Sequence, residues 1–394
     1  MEQVHEVIIQ TIPQIREINN FIDIKAIQES IAYRSPIRKS KIIKNEGFLP
    51  IVTESDFKHV GCMLSGGIDS TLVLSRLSQE NISITAFTLK WNKGAYDETE
   101  KAKEILSLLK DHNKNIRHKI IEIDIEEFVE LYNDIPKYGP HPRPAYYPVI
   151  MAAKKKGLKV LYSGEGGDEL YGGYVNKYRK MLRVKKISTF RHLGRLCSFL
   201  PGRYDRFCWI LKNSCSWSSY EASRTLTRDI FFPNSFRQYE RRDWMTSTLT
   251  LDYEVRLKHY IDFLNRMSRN LGVQLVFPLM EDSFKPQNWR EYWEPHGRRK
   301  LPLVNELTDF DPQVADLAIQ DSHGFSPPTY KFLWKYGLRE LVLNELKDSP
   351  VRKVIGKKLN GLIDFNDNDA GEGELRALTE AYCITKYLRN LEIY

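Results

Sequence analysis

Two glycine-rich segments constrain this chain more than any other feature. Ser65-Gly66-Gly67-Ile68-Asp69-Ser70 follows a short apolar run at residues 60–64. Ser163-Gly164-Glu165-Gly166-Gly167-Asp168-Glu169-Leu170-Tyr171-Gly172-Gly173-Tyr174 follows another at residues 158–162. Behind the first, residues 71–77 have helical spacing. Between the two lie further strand-like runs at 84–89 and 120–125, alternating with helical stretches at 98–109 and 147–155. Strands that alternate with helices predict an α/β fold, a parallel twisted sheet flanked by helices. Such a sheet binds its ligands at the carboxyl ends of its strands, which is where both glycine-rich segments fall.

The residue types in these segments point to phosphate and metal chemistry. Paired glycines let the backbone turn tightly and bring N–H groups up to an anion. A helix that starts there adds its dipole and its unbonded N–H groups. Ser65 and Ser70 carry hydroxyl donors. Asp69 would repel phosphate by itself, so its expected role is to ligate Mg²⁺. The second segment sets three acids among five glycines just after an apolar strand. Asp168 is the expected second Mg²⁺ ligand, facing Asp69, and Glu165 is positioned as an acid/base group. The first segment lacks the G-x-x-x-x-G-K-[ST] spacing and is not a Walker A loop. Taken alone, it would also suit an ordinary capped turn between strand and helix.

The remaining sequence sets outer limits. Three parts are expected: an N-terminal helical segment and linker at 1–58, a nucleotide-binding core at 59–180, and a mainly helical acceptor part at 181–394. An acidic, Gly/Asn-rich stretch at 361–374 reads as a loop before a final helix. The chain has 394 residues, 42% of them apolar, yet no run long enough for a membrane span. Its first residues carry Glu2 and Glu6 without the pattern of a signal peptide. Five irregularly spaced cysteines form no C-x-x-C pair, so neither a zinc site nor a disulfide frame is expected. A cytoplasmic location follows. The net charge of +8 includes a basic stretch at 177–212, where Asp205 is the only acid. A solvated helical face explains such a run better than a nucleic-acid surface, because no nucleic-acid motif accompanies it.

Together the two segments resemble the PP-loop ATP pyrophosphatase domain of the asparagine synthetase B family, with good spacing from about residue 60 through Tyr174. Phe87-Thr88-Leu89 followed by Tyr96-Asp97-Glu98 is similar to the family's second strand and its Tyr-Asp-Glu turn. A weaker likeness continues through residues 251–281 and Gly324-Phe325-Ser326-Pro327-Pro328. The resemblance implies an adenine nucleotide α-hydrolase-like fold. It also implies an ATP- and Mg²⁺-dependent ligase that adenylates a carboxylate, releases pyrophosphate and transfers the acyl group to ammonia or an amine. Carried over residue by residue, Ser65, Gly66, Gly67, Asp69 and Ser70 cradle pyrophosphate and Mg²⁺. Leu64 and Leu89 flank adenosine, and Ser163 and Gly164 contact the nucleotide and substrate side. Glu165 assists the incoming amine, and Asp168 is the second metal ligand.

The sequence also departs from the family. Only about sixty residues precede the first motif, and Met1 is followed by Glu2, so no glutaminase domain is expected. Nitrogen would then come as ammonia, as a substrate amine, or from a separate ammonia-supplying protein. The family's Asp-Arg-x-Ser-Met stretch appears as Asn265-Arg266-Met267-Ser268-Arg269. Its Glu-x-Arg-x-Pro-Phe-Leu-Asp stretch starts here as Gln274-Leu275-Val276. These losses weaken the case for aspartate and leave a small-molecule or peptide carboxylate open. Relatives often carry a lysine where Ser322 stands. Lys300, His323 and Lys331 are candidate replacements, with Lys300 lying where the family has a Gly-x-x-Lys turn. Related β-lactam synthetases and lasso-peptide cyclases make intramolecular amides by the same chemistry. Two other classes remain open: an RNA-modifying PP-loop enzyme and a non-catalytic nucleotide-binding relative.

Overall fold

The computed structural model describes residues 58–95, 97–174, 244–280, 300–320, 327–353, 360–363 and 370–390. The N-terminal segment, the basic stretch at 177–212, Tyr96, Ser322 and His323 lie outside the described residues. The chain divides into two compact units. The larger takes in described residues from 58–173 and 257–339; the smaller takes in Tyr174, 244–256 and 340–390.

The larger unit is built on five parallel strands: β1 (His59–Met63), β2 (Ser83–Trp91), β3 (Ile116–Ile123), β4 (Val160–Tyr162) and β5 (Gln274–Val276). Their order across the sheet is β3-β2-β1-β4-β5. The chain steps outward from β1 in one direction to β2 and β3, then returns to add β4 and β5 on the other side. The reversal leaves a crevice beyond the carboxyl ends of β1 and β4, the switch point at which open parallel sheets bind ligands. Cys62 stands opposite Tyr162 in that central pair.

The crossovers are α1 (Ile68–Ser78), α2 (Thr99–His112), α3 (Ile125–Asp134) and α4 (Tyr146–Lys155), and the short α5 (Gly167–Tyr171) follows β4. Asp124 caps α3 by accepting from the N–H groups of Glu126 and Glu127. In the later chain come α6 (Trp244–Leu251), α7 (Lys258–Leu271), α8 (Leu301–Phe310), α9 (Pro312–Ile319), α10 (Tyr330–Leu333), α11 (Arg339–Lys347) and α12 (Glu372–Asn390). Of these, α7 to α10 belong to the larger unit. The parallel sheet flanked by helices and the mainly helical later chain match the fold read from the sequence. None of the described helices is long and apolar enough to cross a membrane.

One core cluster joins the strands to the helices that frame the crevice. Val60, Cys62 and Leu64 from the first strand and its exit pack with Leu72 and Val73 of α1, Tyr162 of β4, Val276 of β5, and Leu303, Val304 and Leu307 of α8. All are 6% exposed or less, so the crevice floor is a continuous buried layer.

Three elements differ from the sequence reading. The third strand starts at Ile116 rather than at 120, because it is a sheet edge whose alternate residues face solvent; Arg117 and Lys119 made that half look polar. β5 is only three residues long, too short for its pattern to stand out. The acidic stretch before the last helix contains the start of that helix: Glu374 reaches back to accept from the Gly371 N–H at 2.8 Å, so the acid closes a cap.

Candidate active site

The first loop closes on itself. After Leu64 the chain turns through Gly66 at φ +79° and enters α1 from Gly67, which offers no capping side chain. Only glycine takes that left-handed turn without strain. The two serines knit the loop together. The Ser65 N–H donates to Ser70 Oγ (3.1 Å), the Ser70 hydroxyl donates to the Gly67 carbonyl (3.2 Å), the Gly67 N–H donates to Ser65 Oγ (3.4 Å), and the two hydroxyl oxygens are 3.1 Å apart. Asp69 lies in the first turn of α1, where the helix dipole favours its charge.

The second loop packs against the first, main chain to main chain. A Cβ on Gly164 would stand 2.7 Å from both the Asp69 carbonyl carbon and the Ser70 nitrogen, closer than real Cβ atoms approach. A Cβ on Gly167 would run into the Asp69 carboxylate, and one on Gly173 into Asp168 Oδ1. The glycines therefore form a cradle that lets the two aspartates approach one another from adjoining loops.

The two carboxylates meet on one cation. Lys300 Nζ lies 2.5 Å from Asp69 Oδ2 and 2.6 Å from Asp168 Oδ1. Lys300 is 5% exposed and stands at the start of α8 with φ +54°, the single non-glycine residue at positive φ among the described residues. Burial by itself would lower the pKa of this ammonium, but Asp168 and Asp69 outweigh it and hold the group charged. Two carboxylate oxygens that already converge on one cation form a hard donor set suited to Mg²⁺, which commonly takes one or two protein carboxylates together with phosphate and water. Among the described residues no third His, Cys, Asp or Glu joins them. Asp69 and Asp168 therefore fit a Mg²⁺ ion carried with a nucleotide.

Glu165 belongs to a different network. Tyr146, the first residue of α4, donates to Glu165 Oε1 at 2.8 Å and lies 2.8 Å from Ser163 Oγ. Ser163 Oγ in turn accepts from the Glu165 N–H at 3.3 Å. An ionised carboxylate only accepts, so Tyr146 donates to it and accepts from the Ser163 hydroxyl in return. The result is a closed ring of three hydrogen bonds. Its members polarise one another. Burial raises the pKa of Glu165 most, and nearby Asp168 and Asp69 add to the rise; the Tyr146 hydrogen bond and the Arg143 charge oppose it. Tyr146 and Tyr260 are buried, and burial beside Glu165 pushes both phenols well above their ordinary range. His141 stacks on Tyr260 and Phe263, with ring centroids 4.7 and 5.1 Å apart. The proline-studded loop before α4 is pinned by Tyr330, which donates to the Pro142 carbonyl at 2.8 Å.

The structure thus brings Ser65, Gly66, Gly67, Asp69, Ser70, Ser163, Gly164, Glu165, Asp168 and Lys300 to one crevice. Leu64 adjoins that crevice through the chain: its side chain is fully buried in the core, its N–H donates to the Phe87 carbonyl and its carbonyl accepts from Thr88 Oγ1. Leu89 is buried near the end of β2. Lys331 is exposed on α10, and His323 is outside the described residues. The sequence reading missed Tyr146 and Tyr260. The signal available for Tyr146 was a tyrosine at the start of an apolar helix directly behind three alternating prolines; no spacing marks Tyr260.

The asparagine synthase family pattern matches residues 54–354. Three similar proteins align over the synthetase part. Asparagine synthetase [glutamine-hydrolyzing] 1 of Bacillus subtilis is 36% identical over 133 residues, 32% of this chain and 20% of that protein. A provisionally named asparagine synthetase [glutamine-hydrolyzing] 2 of Methanocaldococcus jannaschii is 33% identical over 153 residues, 37% of this chain and 28% of that protein. A provisionally named glutamine-hydrolyzing asparagine synthetase of Mycobacterium bovis is 31% identical over 151 residues, 36% of this chain and 22% of that protein. In each case the match spans less than a third of the relative's length. With the pattern running through both loops and on past Lys300, the chain belongs to the asparagine synthase family.

Proposed function

We propose that this protein is an AMP-forming amide ligase: it activates a carboxylate with ATP, releases pyrophosphate, and passes the acyl group to ammonia or an amine. The observation that carries this reading is the meeting of Asp69, Asp168 and Lys300 beside Glu165, at the carboxyl ends of β1 and β4. The backbone N–H groups at the start of α1 receive the phosphates. Asp69 and Asp168 would hold Mg²⁺, which when bound would offset charge on the departing pyrophosphate. The Lys300 ammonium adds a second, fixed positive charge beside it. The substrate carboxylate attacks the α-phosphorus, its oxygen bonds to phosphorus, and the bond to pyrophosphate breaks.

In the second half, an amine attacks the activated carbonyl and AMP leaves with the bonding electron pair. The attacking nitrogen must lose a proton, and Glu165 is the carboxylate available to take it. Tyr146 occupies Oε1 of that carboxylate, so Oε2 is the oxygen turned to the task. The carboxylate is a small molecule or peptide, and the amine is ammonia, a substrate amine or nitrogen from a separate supplying protein.

The test is to measure AMP and pyrophosphate released from Mg·ATP against a panel of carboxylates, with ammonia and simple amines, following products by mass spectrometry. Stoichiometric AMP, pyrophosphate and amide with one acid is the expected result. ADP and orthophosphate as products, or no nucleotide turnover with any acid, would overturn the reading.

A further inference from the structure

We infer that Lys300 closes the Asp69–Asp168 pair to free divalent cations, so that this site takes its metal only as a metal–nucleotide complex. The inference rests on the reading of that pair as the metal site of an ATP-using ligase. The ammonium already stands where a cation would bridge the two carboxylates, within 2.6 Å of an oxygen from each. The Lys300 side chain is largely shielded from water, and a second cation entering beside it would meet its repulsion at short range.

Charge accounting gives the reason. Asp69, Asp168 and Lys300 together carry one net negative charge. A free divalent ion would turn that into a net positive charge beside a buried ammonium, which is unfavourable. A polyphosphate that arrives with the ion supplies the missing negative charge and gives the ammonium a new partner.

The parts that can move are unequal. The carboxylates are backed by main chain, since side chains on Gly167 and Gly173 would collide with them. Lys300 instead carries its charge on a flexible four-carbon stem. Its backbone at φ +54°, ψ +41° is a left-handed conformation that costs a non-glycine residue free energy. Its position at the N-terminal end of α8 is the unfavourable end of a helix for a cation. The ion pairs with Asp69 and Asp168 offset both costs, and phosphate oxygens can take over that role.

The experiment is direct Mn²⁺ binding, followed by electron paramagnetic resonance on the full chain. Without nucleotide, the wild-type protein should show no stoichiometric Mn²⁺ site. Adding α,β-methylene-ATP, which cannot be cleaved at that bridge, should create one. Lys300→Met should bind Mn²⁺ without nucleotide, about tenfold or more tighter than wild type, and should gain a Mn²⁺-dependent rise in melting temperature that wild type lacks. Adding Asp69→Asn to Lys300→Met should remove both effects. If Lys300→Met fails to fold, Lys300→Gln takes its place, and the wild-type comparison with and without the analogue stands by itself. A tight Mn²⁺ site in nucleotide-free wild type would overturn the inference, as would a folded lysine variant that gains none. Failure of the ligase reading has a different signature: no pyrophosphate from ATP with any carboxylate, while the lysine variants still report whether the ammonium excludes the cation.

Discussion

The two loops at the mouth of the sheet solve the same placement problem by opposite means. The loop after β1 satisfies its serines and turn internally, Ser65, Gly67 and Ser70 bonding to one another within six residues, and only Asp69 reaches out, to Lys300. The loop after β4 satisfies its groups at a distance. Glu165 is held by Tyr146, nineteen residues earlier in the chain, and Asp168 is met by Lys300 from the start of α8. The first loop is a preformed cradle whose shape is local. The second is an assembly point whose chemistry depends on elements brought in by the fold. The turn that receives the phosphates is therefore local, whereas the charges set around it, Asp69, Asp168 and Glu165, depend on Lys300 and Tyr146 brought in from other elements.

The largest expected effect breaks the first half. Asp69→Ala removes a carboxylate but none of the serine bonds, so the loop should keep its form. Pyrophosphate release should fall on the order of 10²–10³-fold, with an unchanged far-ultraviolet circular dichroism spectrum. Unchanged release would take Asp69 out of the metal site and erase the contrast between the loops. Glu165→Gln should break the second half alone. Adenylation, read as isotope exchange between pyrophosphate and ATP, should persist while amide formation slows by roughly 10² or more. Equal loss of both steps would mean that Glu165 does not act in the acyl-accepting step alone.

Tyr146→Phe sharpens the comparison through pH. The phenol stabilises the charged form of Glu165, so its removal should raise the Glu165 pKa further. Glu165 accepts a proton only when ionised. The acidic limb of the pH profile for amide formation should therefore move to higher pH, with the loss confined to that limb. Adenylation should keep its own profile. A uniform drop at every pH would reduce Tyr146 to a packing residue.

The same division explains what could be read before the fold was known. Ser65-Gly66-Gly67 were legible because their work is done by neighbours in sequence, a turn and a helix start, and Asp69 was legible as an acid in the first turn of that helix. Asp168 and Glu165 were legible as residue types, for three acids among glycines behind a buried strand need a cation or a proton donor nearby. Their partners were not. Lys300 could be named only as one of three basic residues, because its role depends on α8 packing beside α1. Tyr146 looks like one more aromatic at the start of an apolar helix until the sheet brings it to Glu165. Leu64, set beside adenosine by the resemblance alone, has a side chain that completes the core.

The smallest expected effect tests how that long-range assembly is kept in register. Arg76 on α1 donates through Nε and a terminal nitrogen to both carboxylate oxygens of Glu306 on α8, each at 2.6 Å. Arg76 lies two helical turns beyond Asp69, and Glu306 lies nearly two turns beyond Lys300, so the pair ties together the helices that carry the two site charges. Apolar contacts from Leu303, Val304 and Leu307 set the distance between those helices, but they resist sliding along the axis poorly. A bidentate fork fixes that register. Arg76 is largely buried and Glu306 substantially exposed, so a double-mutant cycle with Arg76→Ala and Glu306→Ala should give a coupling of about 1 kcal/mol in stability. Each single variant should also lose a few-fold in pyrophosphate release through displacement of Lys300, and Arg76→Lys should recover stability more fully than rate, because an ammonium keeps the charge but not the fork. A rate that follows stability alone across the three variants would assign the pair to folding, and the register of Lys300 to the apolar ridge.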